Sequence, residues 1–305
     1  LTQSYFNELA SQYPGGITVI LSGGTKYEMG VINLSASTKI VTGLSLAGNA
    51  IVEVNGNFAI AAGTSVDSLV FENIVFTEHS GSPKTAANFG GRYLFNFNQA
   101  GAKASKLTIR NCDIRYKRGN IRAQVATEIS TVTIENCLFD SIGGYGIVNA
   151  DHAEAYFDNV VVKNSTIAHA EKIFVASKPT RTTVSLTVEN VTVCYAPKGE
   201  GNYIIDYNGQ TVPGGVTLKN CVFGIGWGSK IRGMRASNAV PTIDKSYRAS
   251  DLEWTTNDQG VQQSPLSDLE NLNATTTAIF QDPDKVNFKV TNATLAGKIG
   301  DPRWW

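Results

Sequence analysis

The chain has 305 residues, of which 42% are hydrophobic and 17% are charged, so it can bury a large core and is not of the disordered class. Lysine and arginine number 26, as do aspartate and glutamate, and no polybasic run is present, which argues against binding to nucleic acid or anionic lipid. The longest apolar stretches, such as residues 17–21, are far shorter than the ~20 residues that cross a bilayer.

The chain begins with TQSYFNELASQ at 2–12, whose apolar residues have the spacing of a short amphipathic helix. Two less regular stretches follow at 17–34 and 39–60, and both contain runs in which apolar and polar residues alternate. Alternation with a period of two is typical of a strand that has one buried face. These stretches therefore predict short strands after an opening helix.

One pattern dominates the middle of the chain: apolar, x, apolar, x, Asn, x, x, apolar. It occurs at 69–76, 107–114, 132–139, 160–167, 186–193 and 216–223. Its asparagines are Asn73, Asn111, Asn136, Asn164, Asn190 and Asn220, which are 38, 25, 28, 26 and 30 residues apart. Such a repeat is typical of a solenoid in which each unit forms one coil. The long first interval predicts a loop inserted between the first two coils.

Each repeat predicts a strand that ends in a turn. Asparagine suits the turn because it tolerates left-handed backbone angles and bonds its own main chain. Amides stacked on successive coils can also bond one another, as they do in other stacked sheets. The position after the asparagine takes small or medium groups, and we expect Cys112, Cys137 and Cys221 to pack inward there as free thiols rather than disulfides.

A second strand follows at 93–98, 145–151, 172–178 and 203–209, and no long helix separates these strands, which excludes a doubly wound sheet. We therefore predict an all-β chain folded as a right-handed parallel β-helix, with the opening helix as a cap over the exposed end.

From about Pro241 the pattern ends and prolines recur. We predict the β-helix and its cap at 1–240 and an irregular C-terminal segment packed on the helix at 241–305. A separate small domain at the C-terminus is the less favoured alternative.

The asparagine repeat resembles the pectate-lyase-like parallel β-helix superfamily, a pectin-lyase-like solenoid. The tail at 279–305 contains F-x-D-P, N-F-x-V and A-G-K-x-G-D-P-R-W. With these motifs it resembles β-helix lipoproteins of Bacteroidota of the DUF5123 and DUF4957 type. The resemblance implies a polysaccharide utilisation locus, a glycan ligand that is pectic or otherwise of plant type, and neighbouring glycan-import proteins. It also implies a lipid anchor to the outer membrane and a location at the cell surface or in the periplasm.

The outward side of the second strands is the predicted binding surface. With Phe95 and Phe97 taken as inward, alternation puts Leu94, Ile147, Phe174, Ala176 and Ile204 on that side. The polar outward residues are Asn96, Asn98, Asn149, Asp151, Lys178, Asp206 and Asn208. We expect Tyr145, Tyr203, Tyr207 and Trp227 nearby to offer flat faces to sugar rings. For any single residue of this set, an ordinary solvated sheet position is the commoner alternative.

A lyase acting on a uronate polymer would need a base and a cation that holds the developing charge. The candidates for base or clamp are Lys172, Lys178, Arg232 and Arg235. Asp151 and Asp206 are two coils apart, ~9.6 Å by the strand spacing, so a shared calcium ion is disfavoured and we expect no metal and no cofactor. The sequence runs of polygalacturonases are absent, so a lyase is favoured over a glycoside hydrolase.

Two functions from different classes remain open. The first is an extracellular polysaccharide-binding protein that passes polymer to neighbouring enzymes and importers. The second is a polysaccharide lyase acting on a uronate-containing chain. Binding is preferred because the outward positions contain no coherent catalytic set, and a purely structural or adhesive solenoid is the third alternative.

Overall fold

The computed structural model describes residues 1–181, 183–228, 230–292 and 299–305. Helix α1 spans Gln3–Gln12. The strands before residue 151 are β1 (Ile17–Leu21), β2 (Lys26–Met29), β3 (Ile32–Leu34), β4 (Thr38–Thr42), β5 (Ala50–Val54), β6 (Phe58–Ile60), β7 (Ser65–Glu72), β8 (Ile74–Thr77), β9 (Tyr93–Phe97), β10 (Ala102–Arg110), β11 (Asp113–Lys117), β12 (Gly119–Ala123), β13 (Thr127–Glu135), β14 (Leu138–Ile142) and β15 (Val148–Ala150).

The later elements include a second helix and twelve strands among the described residues. They are β16 (Ala155–Ala170), β17 (Phe174–Val175), β18 (Ser185–Cys194), β19 (Tyr203–Tyr207), β20 (Val216–Lys219), β21 (Val222–Phe223), β22 (Arg232–Ala236), β23 (Thr242–Asp244), β24 (Tyr247–Arg248), β25 (Glu270–Asn271), α2 (Thr276–Ile279), β26 (Phe280–Asp282) and β27 (Asn287–Val290). Short 3-10 helices lie at Ala87–Gly91, Pro283–Lys285 and Pro302–Trp304.

The parallel strands form three faces of a solenoid that has about nine turns in the described residues. The first face contains β1, β4, β7, β10, β13, the leading halves of β16 and β18, β20 and β23. The second face contains β2, β5, β8, β11, β14, the trailing halves of β16 and β18, β21, β24 and β25. The third face is a separate sheet of β3, β6, β9, β12, β15, β17, β19 and β22. The predicted all-β parallel β-helix is confirmed.

Apolar side chains from each coil stack into one core along the axis. Leu107 lies opposite Leu69 on one side and Val132 on the other, and all three are fully buried. The residues between them, such as Thr108, point outward because side chains alternate along a strand. The sequence pattern of each repeat is therefore the burial pattern of its coil.

The repeat asparagines form the predicted turn and ladder. All six have left-handed φ angles between 48° and 59°. Asn111 donates from its amide to Asn73 Oδ1 at 3.0 Å, and Asn136 donates to Asn111 at 3.1 Å. Two more bonds of this kind join later coils at 2.8 and 3.1 Å. The amides fix the corner between the first and second faces, since they satisfy one another across coils.

The cysteines support the core and carry no disulfide. All four are buried free thiols, as predicted for the three in the repeat. Burial raises the pKa of Cys221 to about 12, so this thiol stays protonated and unreactive.

Helix α1 covers the first coil, as predicted for a cap. Phe6 is buried against the core. The Gln3 side chain donates to Asn33 O at 3.0 Å and accepts from Asn33 N at 2.6 Å. Because Asn33 lies on β3, the outermost strand of the third face, these bonds satisfy an edge that would otherwise be unpaired. Neither described helix has the length and apolar character needed to span a bilayer.

Strand pairing extends the coil stack past residue 240. Thr242 pairs in parallel with Thr217, and β24 pairs with β21 and then with β25. Thr242 therefore continues the first face and β24 the second. The predicted division of the chain at 240/241 stays a prediction.

The irregular C-terminal segment packs across the outside of the second face. Its apolar side chains Ile279, Phe280 and Phe288 form a second core with residues of the coils. The buried residues that the coils contribute are Ala168, Cys194, Val222 and Ala249. Thr166 Oγ1 donates to the buried Asp301 at 2.7 Å and accepts from Trp304 Nε1 at 2.7 Å. The later coils thus have a covered second face.

Candidate functional site

One row of side chains runs along the outside of the third face. Its members lie opposite one another on successive strands and are Asn96, Arg122, Asn149, Val175, Asp206 and Arg235. The residues next to them, such as Phe95 and Ile205, are fully buried in the core. Strand alternation therefore turns the row outward, and two groups of charged side chains form along it.

Asp151 is held between cations from the coils on either side. Arg122 donates to Asp151 Oδ2 from Nη2 at 2.6 Å and from Nε at 2.9 Å. Lys178 Nζ lies 2.5 Å from Asp151 Oδ1. Burial by itself raises the pKa of Asp151, but hydrogen bonds from Lys178 and Arg122 outweigh it and hold the pKa below its usual range. Asp151 is therefore an anion near neutral pH that orients two cations, and not a proton donor.

Two tyrosines lie beneath the guanidinium groups of this cluster. The Arg122 guanidinium is 4.0 Å from the Tyr145 ring centroid and 5.4 Å from that of Tyr93. Arg118 lies over the same rings at 4.9 and 5.9 Å. Such stacking holds a planar guanidinium in a fixed orientation. We call this group the Asp151 cluster: Tyr93, Arg118, Arg122, Tyr145, Asp151 and Lys178.

A second group repeats the same chemistry further along the axis. Arg235 binds Asp206 through two parallel bonds, Nε to Oδ1 at 2.7 Å and Nη2 to Oδ2 at 3.0 Å. The Arg235 guanidinium lies 4.4 Å from the Tyr203 ring centroid, and Arg232 donates to the Tyr203 hydroxyl at 3.0 Å. The hydrogen bond to Asp206 raises the pKa of Arg235 above its ordinary value, which is already high. We call Tyr203, Asp206, Arg232 and Arg235 the Asp206 cluster.

Comparison with known families places these clusters in two domains. Residues 25–170 match the family described as domain of unknown function DUF4957, and residues 186–304 match the one described as domain of unknown function DUF5123. Successive parts of the chain thus match these two family models, and we call the matched ranges the DUF4957 domain and the DUF5123 domain. This confirms the resemblance to the DUF5123 and DUF4957 type that was noted in the sequence. No curated protein and no solved structure shows significant similarity to the chain.

Both domains contribute to the third face. Apart from Lys178, which lies between the two matched ranges, the Asp151 cluster belongs to the DUF4957 domain. The Asp206 cluster belongs to the DUF5123 domain. Because β17 pairs with β15 on one side and with β19 on the other, the sheet continues from one domain into the next. The two clusters therefore lie on one surface.

Most of the predicted site residues come together on this surface. Those that belong to the two clusters are Tyr145, Asp151, Lys178, Tyr203, Asp206, Arg232 and Arg235. Asn96 and Asn149 lie in the outward row but are buried. Asn98 and Asn208 are exposed just after their strands end, and Lys172 is half-buried ahead of β17. These last three lie at the margins of the clusters.

The predicted parity of one strand was wrong. Phe174 and Ala176 are buried in the core, and Val175 takes the outward position between them. Leu94, Ile147 and Ile204, also predicted to point outward, are buried where the chain turns into the third face. A shift of one residue exchanges the two sides of a strand. Strand β17 has only two residues, so its register follows its neighbours and not its own pattern.

The tyrosines do not offer the open ring faces that were predicted. Tyr203 is buried beneath Arg235 and Arg232, and Tyr207 lies in the core. Tyr145 has the Arg122 guanidinium on its face. Trp227 packs instead against His169 and Lys198, with ring-centroid and ammonium-to-ring distances of 5.6 and 4.8 Å. The Asp151 and Asp206 clusters therefore expose guanidinium groups in place of open aromatic rings.

Sequence reasoning missed Arg122, Arg118 and Tyr93. All three belong to the DUF4957 domain, and Arg122 lies on β12, a strand absent from the predicted set. A signal for this strand was present, because 93–98 and 145–151 are two coils apart at the spacing of the asparagine repeat. A strand of the same kind was therefore due at about 119–124.

Cations outnumber carboxylates on this surface. Among the described residues of the two clusters, Arg118, Arg122, Lys178, Arg232 and Arg235 are cationic, whereas Asp151 and Asp206 are anionic. Both carboxylates are bonded to cations, which leaves an excess of positive charge. Within the described parts of the chain, no group of three or more His, Cys, Asp or Glu side chains is placed to hold a metal ion. The expectation of no metal and no cofactor stays a prediction.

Proposed function

We propose that the protein binds an acidic, uronate-containing polysaccharide along its third face and serves as a glycan-binding protein of a glycan utilisation system. The observation that carries this proposal is the excess of cationic groups in the Asp151 and Asp206 clusters. Asp151 and Asp206 already accept bonds from arginine or lysine, so they orient the cations more than they repel an anionic ligand. The planar fork of arginine matches the two oxygens of a carboxylate.

The spacing of the clusters suits a polymer and not a single sugar. Arg122 and Arg235 occupy the same outward row, four strands apart. At ~4.8 Å per strand this separates them by about 19 Å along the axis. A chain lying along the axis would contact both clusters through different sugar units. Two weak ionic contacts on one ligand then reinforce each other.

The test measures binding of polygalacturonate oligomers to the full chain by isothermal titration calorimetry. We expect the double substitution Lys178→Ala and Arg235→Ala to weaken binding about tenfold or more, because it removes one exposed and one half-exposed cation from the third face. We also expect binding to weaken as salt is raised, since the contacts are ionic.

A matched control exists on the first face, outside the two clusters. Lys219 pairs with Glu189 at 3.2 Å and Arg181 pairs with Asp158 at 2.8 Å, with side-chain exposures close to those of Lys178 and Arg235. The double substitution Lys219→Ala and Arg181→Ala removes the same charge elsewhere and should leave binding unchanged. Equal losses in the two double variants, or equal binding of neutral polymers, would contradict the proposal.

Catalysis is a separate question that the same samples answer. Arg235 is held in its charged form by Asp206, which suits a clamp and not a base. No observation on this surface favours the alternative lyase over binding. A lyase would convert the uronate polymer to an unsaturated product, whose ultraviolet absorbance is measured directly on mixing. Growth of that absorbance with the wild-type protein would establish the lyase.

The cellular setting forms part of the same proposal. A location at the cell surface or in the periplasm, a lipid anchor and transfer of glycan to neighbouring import proteins all accord with a polymer-binding solenoid. Protease treatment of intact cells that express the natural protein, followed by immunoblotting, measures whether it is exposed at the surface.

A further inference from the structure

A groove lies on the outside of the second face, in the early coils that the C-terminal segment leaves open. It has a volume of about 740 Å³, within the range of small-ligand sites. Strands β5, β8 and β11 form its floor, and the loop at 78–85 forms one wall. This loop is the insertion that lengthens the first asparagine interval to 38 residues. The groove is therefore a feature of one coil and not of the general repeat.

The floor and the wall combine apolar and polar groups. Ile51 and Val75 on the floor are half-buried, as is Tyr116 at the end of β11. Phe89, beyond the wall loop, has its ring centroid 6.3 Å from that of Tyr116. A sugar presents apolar C–H faces and hydroxyl edges, and it binds where an aromatic or aliphatic surface is flanked by polar groups.

Charges in the groove are balanced and largely paired within it. Arg115 binds Asp113 through two bonds of 2.7 Å, and Lys26 lies 3.2 Å from Glu53. The remaining charged side chains of the lining are Glu78, which bonds Thr77, and Lys84, which lies 6.0 Å from the Tyr116 ring centroid. Three carboxylates thus face three lysine or arginine side chains, whereas the third face has an excess of cations. This groove has no net charge with which to select an ion.

The backbone at the groove is held in uncommon conformations. Tyr116, Asn88 and Phe89 have left-handed φ angles of 55°, 50° and 51°. The ammonium of the buried Lys117 bonds Thr77 O at 2.6 Å and Arg115 O at 3.0 Å, which joins the two floor strands beneath Tyr116. The left-handed angle of Tyr116 recurs at the same corner of later coils, at Ser141, His169 and Tyr195, so it belongs to a turn of the repeat. This turn places Tyr116 at the edge of the groove.

We propose that this groove binds an uncharged oligosaccharide, at a site separate from the third face. The apolar floor and the Tyr116 ring receive the faces of the sugar rings, and the paired charged side chains bond its hydroxyl groups. The proposal does not depend on the function of the third face, because the two surfaces lie on different sheets of the solenoid.

The experiment titrates tetrasaccharides derived from galactan, arabinan and xylan into the full chain by calorimetry. We expect at least one of them to bind and the substitution Tyr116→Asn to weaken that binding about fivefold, through loss of the ring contact. Asparagine is chosen because it tolerates the left-handed backbone at this position.

The control is Tyr195→Asn, which removes a tyrosine with φ 51° at the same corner of a later coil. Thermal melts followed by circular dichroism confirm that each variant is folded. No binding of any of the three at millimolar concentration, or equal affinity in Tyr116→Asn and wild type, would overturn the proposal. So would a loss caused by Lys178→Ala with Arg235→Ala but not by Tyr116→Asn. Failure of polygalacturonate to bind overturns only the function of the third face.

Discussion

The early and later halves of the second face are built from equivalent strands of successive coils. They differ in their outward side chains and in whether the C-terminal segment covers them. In one outward row, Arg115 lies opposite Asp140, then Ala168, then Cys194. The change from charged to small apolar residues falls at Ala168, where the C-terminal segment begins to cover the sheet. Early coils keep charged side chains and an open groove.

This difference shows that a solenoid coil does not fix the character of its own outer surface. The inward residues repeat from coil to coil because every coil shares one core. The outward residues follow whatever packs on that coil. An outward alanine or cysteine on a strand therefore indicates a covering segment, and an outward ion pair indicates solvent or a ligand.

The largest expected effect comes from removing a side chain that packs the C-terminal segment onto the second face. Phe288 is fully buried between the C-terminal segment and the second face. We expect Phe288→Ala to lower the free energy of unfolding by about 3 to 5 kcal/mol, measured by urea denaturation. Val75→Ala in the open half should cost less than about 1.5 kcal/mol, since its side chain is already half-exposed. Similar losses in both variants would show that the open half is also packed against a covering element.

The next largest expected effect comes from the buried amino group of Lys117, which lies in the open half of the second face. Lys117 lies opposite Ile142, which lies opposite Ala170, so apolar residues replace the lysine on the next two coils. Burial lowers the pKa of Lys117 to about 7. Between pH 7 and about 10 the unfolded chain holds this proton and the folded chain does not, so stability should rise with pH by up to a few kcal/mol. Lys117→Met should flatten that rise in denaturation measured across this range, and an unchanged slope would contradict the assignment.

The contribution of the asparagine ladder to the unfolding free energy should be the same in the open and the covered half, because the ladder lies at the corner beside both. We expect Asn111→Ala in the open half and Asn190→Ala in the covered half each to cost about 1 to 2 kcal/mol of unfolding free energy. Both lose amide bonds and place alanine at a left-handed φ. Asn111→Gly should cost less than Asn111→Ala, since glycine adopts that φ without strain. A much larger loss at Asn190 would mean that the cover also rests on the ladder.

The smallest expected effect is a pH dependence in the covered half. Burial raises the pKa of Asp301, although bonds from Arg303 N and Thr166 partly offset it. The folded state therefore keeps this proton to higher pH than the unfolded state, and stability falls as pH rises through the folded pKa. Relative to Asp301→Asn, the wild type should lose stability in thermal melts as the pH rises above about 4. A parallel pH profile for the two proteins would exclude this contribution.

The repeat predicted the coils well and the surface less well. Asn73 and its counterparts gave the corner because a left-handed turn at a fixed interval depends on local backbone chemistry. Asp151, Lys178 and Asp206 were found because polar residues on a mostly apolar strand are visible in the sequence. Phe174 and Ala176 were assigned to the wrong side because a two-residue strand takes its register from its neighbours. Arg122 was missed because its strand, GNIRA, has little apolar alternation.

By itself, the sequence determined the all-β parallel solenoid, its coil length, the asparagine corner and the helical cap, since these depend on periodicity and on the backbone preferences of single residues. Only the tertiary structure decided which side chains meet across coils. The pairing of Arg122 with Asp151 joins residues 29 positions apart, and the packing of Ala168 and Phe288 into one core joins residues still further apart. Contacts of this kind depend on the register of stacked coils and on the path of the C-terminal segment, and neither leaves a periodic signal in the chain.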